Sequence, residues 1–209
     1  MPRTRQSPAP ATHALCRFVP PVLTGALAIL LVAGCVSIEP YNVVKSAEAN
    51  PFAGQKQFVL EPIRFVDLFV DGRRESDFLA ARKGDASKKS WESDKEGINE
   101  RFHASLAQRA EKSGISILNA AGAAPFTIRP TVSRIETGYY RIPAYTAITR
   151  IMMKVELIDA KGVVQDEIYV EHGVAFDAIA NPSTGGRMRT AAKAIGNKAG
   201  LYLRKRVAP

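Results

Sequence analysis

The first 34 residues constrain this chain most, because a basic stretch, a short apolar run and small residues follow one another in that order. Residues 1–17 contain arginines but no acidic residue, and residues 18–32 are almost wholly apolar (FVPPVLTGALAILLV). This order is typical of a secretory signal peptide, which is removed from the mature protein. Small residues at its end let a peptidase approach the extended backbone closely. The sequence therefore predicts that residues 1–34 are a signal peptide.

The alternative is that the apolar run is an uncleaved membrane anchor. A spanning helix needs about 20 apolar residues, and this run is shorter and contains Pro20-Pro21. Because proline is unfavourable inside a helix, we favour a cleaved leader. The basic region is long, which leaves open a true start codon downstream of Met1. A further alternative, that Cys35 is an ordinary buried residue, leaves the whole leader unexplained.

The leader ends in Leu31-Val32-Ala33-Gly34-Cys35, which resembles the bacterial lipobox. The resemblance implies transfer of diacylglycerol to the Cys35 sulfur, cleavage between Gly34 and Cys35, and acylation of the new amino terminus. Two acyl chains give stable anchoring, whereas one is marginal. Val36 stands where aspartate would retain an inner-membrane lipoprotein in enteric-type bacteria. The resemblance thus implies an outer-membrane, lipid-anchored protein that faces the periplasm or the cell surface.

The cysteine content also limits the mature chain. There are 2 cysteines in the sequence. Cys16 leaves with the leader and Cys35 would carry lipid, so no disulfide or thiolate metal site is expected. The remaining 175 residues fit one domain that is stable through its core. We predict a signal peptide over 1–34, a lipidated terminus and tether over 35–55, and a single domain over 56–209.

The charge balance raises the question of nucleic acid. The formal charge is +9, and the mature chain carries 26 basic and 20 acidic residues. A basic surface is one mark of a nucleic-acid-binding protein. Export removes that partner and no binding motif is present, so we expect no nucleic acid. Anionic lipid headgroups are the simpler partner for a mildly basic surface.

The first half of the mature chain contains one clear helix, over residues 94–113. Ser93 and Glu96 match a capping box, the stripe of Ile98, Phe102 and Leu106 forms one apolar face, and Gly114 is placed to end the helix. The flanking segments are interpreted as follows: residues 56–66 as a strand with an edge or bulge at Pro62, residues 71–92 as a charged loop with at most one helical turn, and residues 115–118 as a short strand. Within the loop, Phe78, Leu79 and Trp91 either cover one end of the core or form an exposed binding surface.

The second half alternates apolar and polar residues over 126–136, 147–158 and 163–176, which predicts strands. The turn 159–162 joins the last two as a hairpin. A flexible lead-in over 181–186 precedes a final helix over 187–205. Because strands follow the first helix without interleaved crossovers, we predict an α+β fold. Its antiparallel or mixed sheet would have about four to five strands, with two main helices packed on one face.

Three segments of this region, FTIRPTVSRIETGYY, VELIDAKGVV and STGGRMRTAAKAIG, together resemble uncharacterised bacterial lipoproteins of the DUF4410 type. They are also similar to the small periplasmic α/β domains of TolB and of curli-secretion lipoproteins. The resemblance covers roughly residues 95–205. It implies an envelope protein without known catalysis.

Catalytic and metal-binding patterns are sparse. His103 and His172 lack a metal-ligand pairing, and no Gly-x-Ser-x-Gly elbow is present. Asp166 and Glu167 point to opposite faces of a strand, so we interpret them as solvated charges. The segment 184–187 either cradles an anion on backbone amides or is a hinge and helix start. We expect no catalytic residue, metal or cofactor other than the lipid on Cys35.

The clearest candidate for a contact surface is the segment that contains Tyr139, Tyr140, Arg141 and Tyr145. Tyrosine and arginine are enriched at interface hot spots; the alternative is that the rings pack back on the sheet. The leading hypothesis is therefore a membrane-anchored envelope interaction or assembly module without catalysis, with an envelope protein as partner. The alternatives are a periplasmic lipid- or glycan-binding module, with an apolar groove between helix and sheet, and a hydrolase with a dispersed site.

Overall fold

The computed structural model describes residues 39–119, 124–138, 148–177 and 179–208. Gly34, Cys35 and the segment 139–147 lie outside these ranges, so the predictions made for them are not tested by the fold. None of the helices in the described ranges is both long and apolar enough to cross a bilayer. The described residues form eight strands and three helices: β1 Asn42–Lys45, β2 Gln57–Leu60, β3 Phe69–Val70, β4 Arg73–Arg74, α1 Glu75–Ala80, α2 Asp85–Glu111, β5 Ser116–Leu118, β6 Phe126–Glu136, β7 Thr149–Asp159, β8 Val164–Val174 and α3 Thr184–Val207.

The strands form one mixed sheet in the order β1-β8-β7-β6-β2-β5, and the β3–β4 hairpin joins it at β6. The four strands from β1 to β6 in this order are antiparallel neighbours, whereas β2 is parallel to both β5 and β6. The predicted α+β class is confirmed, but the predicted four to five strands and two helices are too few. The additional elements β1, β3, β4 and α1 are two to six residues long, too short to show a periodic pattern.

The long strands alternate as predicted. The inner face of β6 and β7 buries Ile128, Val132, Ile151 and Met153, all at 0–1% exposure. The outer face carries charged residues that pair across and along the strands, such as Lys154 with Glu156 and Glu167. Since one face is apolar and the other charged, the sheet can cover a core on one side only.

The first main helix begins earlier than predicted. Because α2 begins at Asp85, Ser93 and Glu96 lie inside it and cannot form the predicted capping box. Its first turns are rich in lysine and serine and have no apolar stripe until Trp91. The predicted end is confirmed, since Gly114 follows the helix with a positive φ of 70°.

The prediction of a charged loop over residues 71–92 is wrong. This segment contains β4, α1 and the start of α2. The expectation that its apolar side chains cover the core is confirmed, because Phe78 and Trp91 are buried with ring centroids 5.0 Å apart. Trp91 Nε1 donates a hydrogen bond of 2.6 Å to the carboxylate of Glu75, which satisfies the buried indole.

The predicted tether over residues 35–55 is also partly folded. β1 pairs with β8, and Phe52 is fully buried between Phe58 and Phe126. Tyr41 packs edge-on against Tyr202 with ring centroids 5.2 Å apart. The folded domain therefore extends at least to Tyr41, and the predicted start at residue 56 is too late. The apolar pair Val43-Val44 does indicate a short strand here, and it lies in β1.

The final helix begins at Thr184, three residues before the predicted start, because Ser183 caps it. The Ser183 hydroxyl accepts a 3.0 Å hydrogen bond from the Gly186 amide, a usual N-cap contact. Residues 184–186 are thus helical and not part of a flexible lead-in.

Helices α2 and α3 run parallel and in close contact, which depends on glycine. A Cβ at Gly196 would lie 2.5 Å from the Phe102 carbonyl oxygen, and one at Gly200 would lie 2.7 Å from the Arg109 Cβ. Between these points Ser105 Oγ donates a 2.7 Å hydrogen bond to the Lys193 carbonyl. The backbones can approach this closely only because no side chain separates them.

We expect Gly196→Ala to lower the free energy of unfolding by about 1–3 kcal/mol, the usual cost of overpacking a tight site. The clash is with backbone atoms, which cannot rotate away, and it outweighs the better helix propensity of alanine. Urea denaturation followed by circular dichroism measures this. Asn197→Ala, at an exposed position of the same helix, is the control and should change stability by less than about 0.5 kcal/mol. Equal stability of the two variants would contradict the close approach.

Candidate functional site

A cavity of about 640 Å³ lies at the amino-terminal end of α3. Its walls come from the β3–β4 hairpin, the junction of α1 with α2, the first turns of α2, the residues that follow β6 and β8, and the start of α3. The charged side chains that line it are Arg73, Arg82, Arg187, Arg189 and Asp94. Four guanidinium groups thus face one carboxylate, and this excess of positive charge distinguishes the cavity.

Arg73 reaches the cavity because of a tight hairpin turn. Asp71 and Gly72 have φ values of 49° and 77°, as a two-residue type I′ turn requires. The Asp71 carboxylate accepts hydrogen bonds of 2.8 and 2.7 Å from the amide and hydroxyl of Thr137, which holds the hairpin against β6. The Arg73 side chain lies at the exposed rim. The Asp-Gly pair, a known hairpin signal, could have revealed this element from the sequence.

Arg82 forms a second wall. Its guanidinium carbon lies 4.5 Å from the centroid of the Phe78 ring and 5.5 Å from that of the Trp91 ring. It also donates a 2.8 Å hydrogen bond to the Ser87 carbonyl. Cation–π contacts and this bond hold the guanidinium in place without neutralising its charge.

Arg187 lies at the base of the cavity and is only 4% exposed. Its Nε donates a 2.7 Å hydrogen bond to the Thr149 hydroxyl, and its Nη2 donates to the carbonyls of Thr137 and Gly138 and to the Thr184 hydroxyl at 3.1–3.4 Å. Among the described residues it forms no ion pair with a carboxylate. Burial lowers the pKa of the guanidinium, which nevertheless stays charged at neutral pH.

The contacts of Arg187 also connect two strand ends. Thr137 and Gly138 directly follow β6, Thr149 begins β7, and the Thr149 hydroxyl donates a 2.8 Å hydrogen bond to the Thr137 carbonyl. These residues flank the segment 139–147, which contains the predicted contact residues. Arg187 therefore connects the residues after β6 to the start of β7 beside the cavity.

Asp94 and Arg189 form the ion pair of the cavity, with Arg189 Nη1 3.4 Å from Asp94 Oδ1. Burial raises the pKa of the Asp94 carboxyl, and the neighbouring Arg189 and Arg82 oppose this rise. A Cβ at Gly185 would lie 2.2 Å from the Asp94 oxygen. Glycine at this position thus lets the carboxylate approach the start of α3.

This arrangement suits an anion. Guanidinium groups bind phosphate and carboxylate through paired N–H donors, and the amides at a helix start favour negative charge. Residues 184–187, for which the sequence left open an anion cradle or a helix start, form the first turn of α3. The fold brings them together with arginines from other elements, and no local sequence motif indicates this. Within the described ranges, no group of histidine, cysteine, aspartate and glutamate is arranged to hold a metal ion.

The structure describes two histidines, one on α2 and one on β8. His103 is half-buried on α2, with Nε2 3.1 Å from the Glu61 carbonyl, and His172 lies on β8. Burial lowers the pKa of both imidazoles, and nearby Lys198 adds to the effect on His172.

The interpretation of Asp166 as a solvated charge is wrong. Asp166 is fully buried and accepts hydrogen bonds of 2.6 Å from Arg206 Nε, 2.5 Å from the Tyr202 hydroxyl and 2.8 Å from the Ala47 amide. Burial and the Asp166 charge raise the pKa of Tyr202. Glu167 does face outward, 3.7 Å from Lys154. The prediction that Asp166 and Glu167 point to opposite faces is correct. The inward-facing Asp166 is paired with Arg206, which lies 40 residues away in the sequence.

An apolar groove between the helices and the sheet, expected for a lipid-binding module, is not formed by the described residues. The space is filled by side chains at 0% exposure: Ile98, Phe102, Ile151, Met153 and Ile195. The apolar stripes of the helices therefore pack directly against the inner face of the strands and form the core.

Comparisons with known proteins give distant structural likenesses. No family model matches the chain, and no curated protein matches it. The PelC dodecamer from Paraburkholderia phytofirmans is 12% identical, covers 74% of this chain and 92% of that chain, and has a TM-score of 0.38. A DUF330 protein from Xanthomonas campestris is 10% identical, covers 77% and 91%, and has a TM-score of 0.44.

A minor lipoprotein from Acinetobacter baumannii is 9% identical, covers 72% of this chain and 93% of that chain, and has a TM-score of 0.41. Of these three solved structures, the one from Acinetobacter baumannii is described as a lipoprotein. At these TM-scores we assign neither a family nor a function from the likeness. These likenesses do not show the resemblance to DUF4410-type lipoproteins.

We expect Asp166→Ala to lower the free energy of unfolding by about 3–5 kcal/mol, the usual cost of removing one partner from a buried ion pair. The loss leaves Arg206 buried without its carboxylate and the Tyr202 hydroxyl without its acceptor. Thermal and urea unfolding measure the change. The adjacent Glu167→Ala, on the outer face, is the control and should cost less than about 1 kcal/mol. Similar losses for both variants would refute the buried network.

Proposed function

We propose that this protein is a lipid-anchored envelope protein, held at the outer membrane through Cys35, and that its α+β domain is a non-catalytic interaction or assembly module. The observation that carries the proposal is the leader that ends in Leu31-Val32-Ala33-Gly34-Cys35. Acylation at Cys35 supplies the membrane contact, and the folded domain supplies the surface for an envelope protein partner.

The folded domain supports an anchor that is close to the membrane. Five residues, 36–40, separate Cys35 from Tyr41, which is packed in the core. A fully extended chain over this interval reaches only about 20 Å. The anchor would therefore keep this end of the domain near the lipid headgroups, in place of the long tether that the sequence suggested.

The end of the domain beside Tyr41 carries basic residues suited to that position. The last turn of α3 contains Arg204 and Lys205, and Lys205 pairs with Glu39 while 63% of its side chain stays exposed. Basic residues near a membrane surface attract anionic headgroups. They also complement the carboxyl end of the helix dipole, so the two effects act together.

The intact mass of the protein extracted from bacterial membranes tests the anchor. We expect a species that begins at Cys35 and carries acyl mass, and an inhibitor of lipoprotein signal peptidase should leave the diacylglyceryl precursor uncleaved. Cys35→Ala is the control and should carry no lipid. An unmodified chain that still begins at Met1 would overturn the proposal.

The partner surface is tested separately at Tyr139, Tyr140 and Tyr145. Replacing the three tyrosines with serine should reduce the partners recovered after cross-linking in intact cells, because large aromatic side chains contribute most to interfaces. The matched control is Tyr169→Ser on the outer sheet face. If the recovered proteins and their amounts stay the same in both variants, this segment is not the contact surface.

A further inference from the structure

The arginine-lined cavity has more positive than negative side chains among its described lining residues. Arg189 shares Asp94 at 3.4 Å. Within the described residues, neither Arg187 nor Arg73 pairs with a carboxylate, and Arg82 is held by aromatic rings and a carbonyl. Since these four guanidinium groups line one cavity with Asp94 as the only carboxylate among its described lining residues, the lining carries a net positive charge.

The positive charge extends from the base of the cavity to its mouth. Arg187 lies at the base at 4% exposure, the Arg189 side chain is 38% exposed, and Arg73 lies at the exposed rim. The volume of about 640 Å³ is within the range of small-molecule sites. A ligand can thus meet guanidinium groups on several sides at once, which a flat basic surface cannot offer.

We propose that this cavity binds a phosphate-bearing anion. The four arginines and Asp94 together carry a net charge of +3. A ligand group with several negative charges matches this better than a single carboxylate does. Arginine binds phosphate oxygens in pairs, the hydroxyls of Ser183 and Thr184 line the same wall, and the start of α3 adds its amides. A soluble phosphate ester and a lipid headgroup share this chemistry.

Two neighbouring arginines provide a matched test. Arg73 lines the cavity, whereas the adjacent Arg74 lies over the Phe69 ring at 6.0 Å and is not among the lining residues. The two substitutions Arg73→Gln and Arg74→Gln remove the same charge one residue apart. Arg187 is left intact, because its bonds to Thr137 and Thr149 hold the strand ends together.

The first experiment is calorimetric titration of the detergent-extracted full protein with inorganic pyrophosphate, with thermal unfolding followed in parallel. Saturable binding with one site per chain and a raised melting temperature are expected. Arg73→Gln should weaken binding about tenfold, and Arg74→Gln should leave it within about twofold. Absence of saturable binding, or equal weakening by both variants, overturns the proposal.

A second variant is expected to bind pyrophosphate more tightly, which damage to the fold could not explain. Asp94→Asn removes the carboxylate of the cavity and should tighten pyrophosphate binding about threefold to tenfold. Weaker binding by this variant, with its unfolding temperature unchanged, would contradict the proposed site.

Competition with vesicles then distinguishes a lipid headgroup from a soluble phosphate ester as the natural ligand. Displacement of pyrophosphate by vesicles of phosphatidic acid, but not of phosphatidylcholine, indicates a lipid headgroup. Displacement of pyrophosphate only by soluble phosphate esters indicates a free ligand. These measurements do not require acylation, so they succeed or fail independently of the proposed anchor.

Discussion

The close contact between α2 and α3 is the constraint on which the rest of the structure depends. Gly196 and Gly200 bring the α3 backbone against Phe102 and Arg109 of α2, and the joined helices cover the apolar face of the sheet. A wider separation would lift both apolar stripes away from the strands and open voids, which are costly in a close-packed interior. Because Gly196 meets backbone atoms of α2, which cannot rotate away, the contact also fixes how far along α2 the first turn of α3 begins.

That position determines the chemistry at the two ends of α3. At its start, the parallel packing places Asp94 of α2 beside Gly185 and pairs it with Arg189. At its end, Arg206 reaches the buried Asp166 of β8. One helix thus joins the sheet through a buried ion pair at its end. At its start it presents Arg187, which forms no ion pair with a described carboxylate, beside the Arg189–Asp94 pair. The end of α3 contributes to the stability of the fold, whereas its start lines the cavity that we propose binds an anion.

Much of the fold could be predicted from the sequence where a periodic pattern is long enough to see. The strand over residues 126–136 and its neighbours, their turn and the end of α2 are all determined by local patterns of polarity and by glycine. The start of α2 at Asp85 was missed because its first turns are polar on every side. The buried role of Asp166 and the convergence of Arg73 with Arg187 depend on residues distant in sequence, so no local signal could show them.

The geometry of α3 bears on how the proposed anchor and the proposed ligand site are related. Tyr41, the first packed residue after the anchor, contacts Tyr202 near the end of the helix, whereas Arg187 lies in its first turn. The 15 residue steps from 187 to 202 of α3 correspond to about 22 Å along the axis at 1.5 Å per residue. A domain held to the bilayer near Tyr41 would therefore present the cavity at the other end of this helix. If the anchor forms as proposed, this separation favours a soluble phosphate-bearing ligand over a headgroup of the leaflet that holds the lipid.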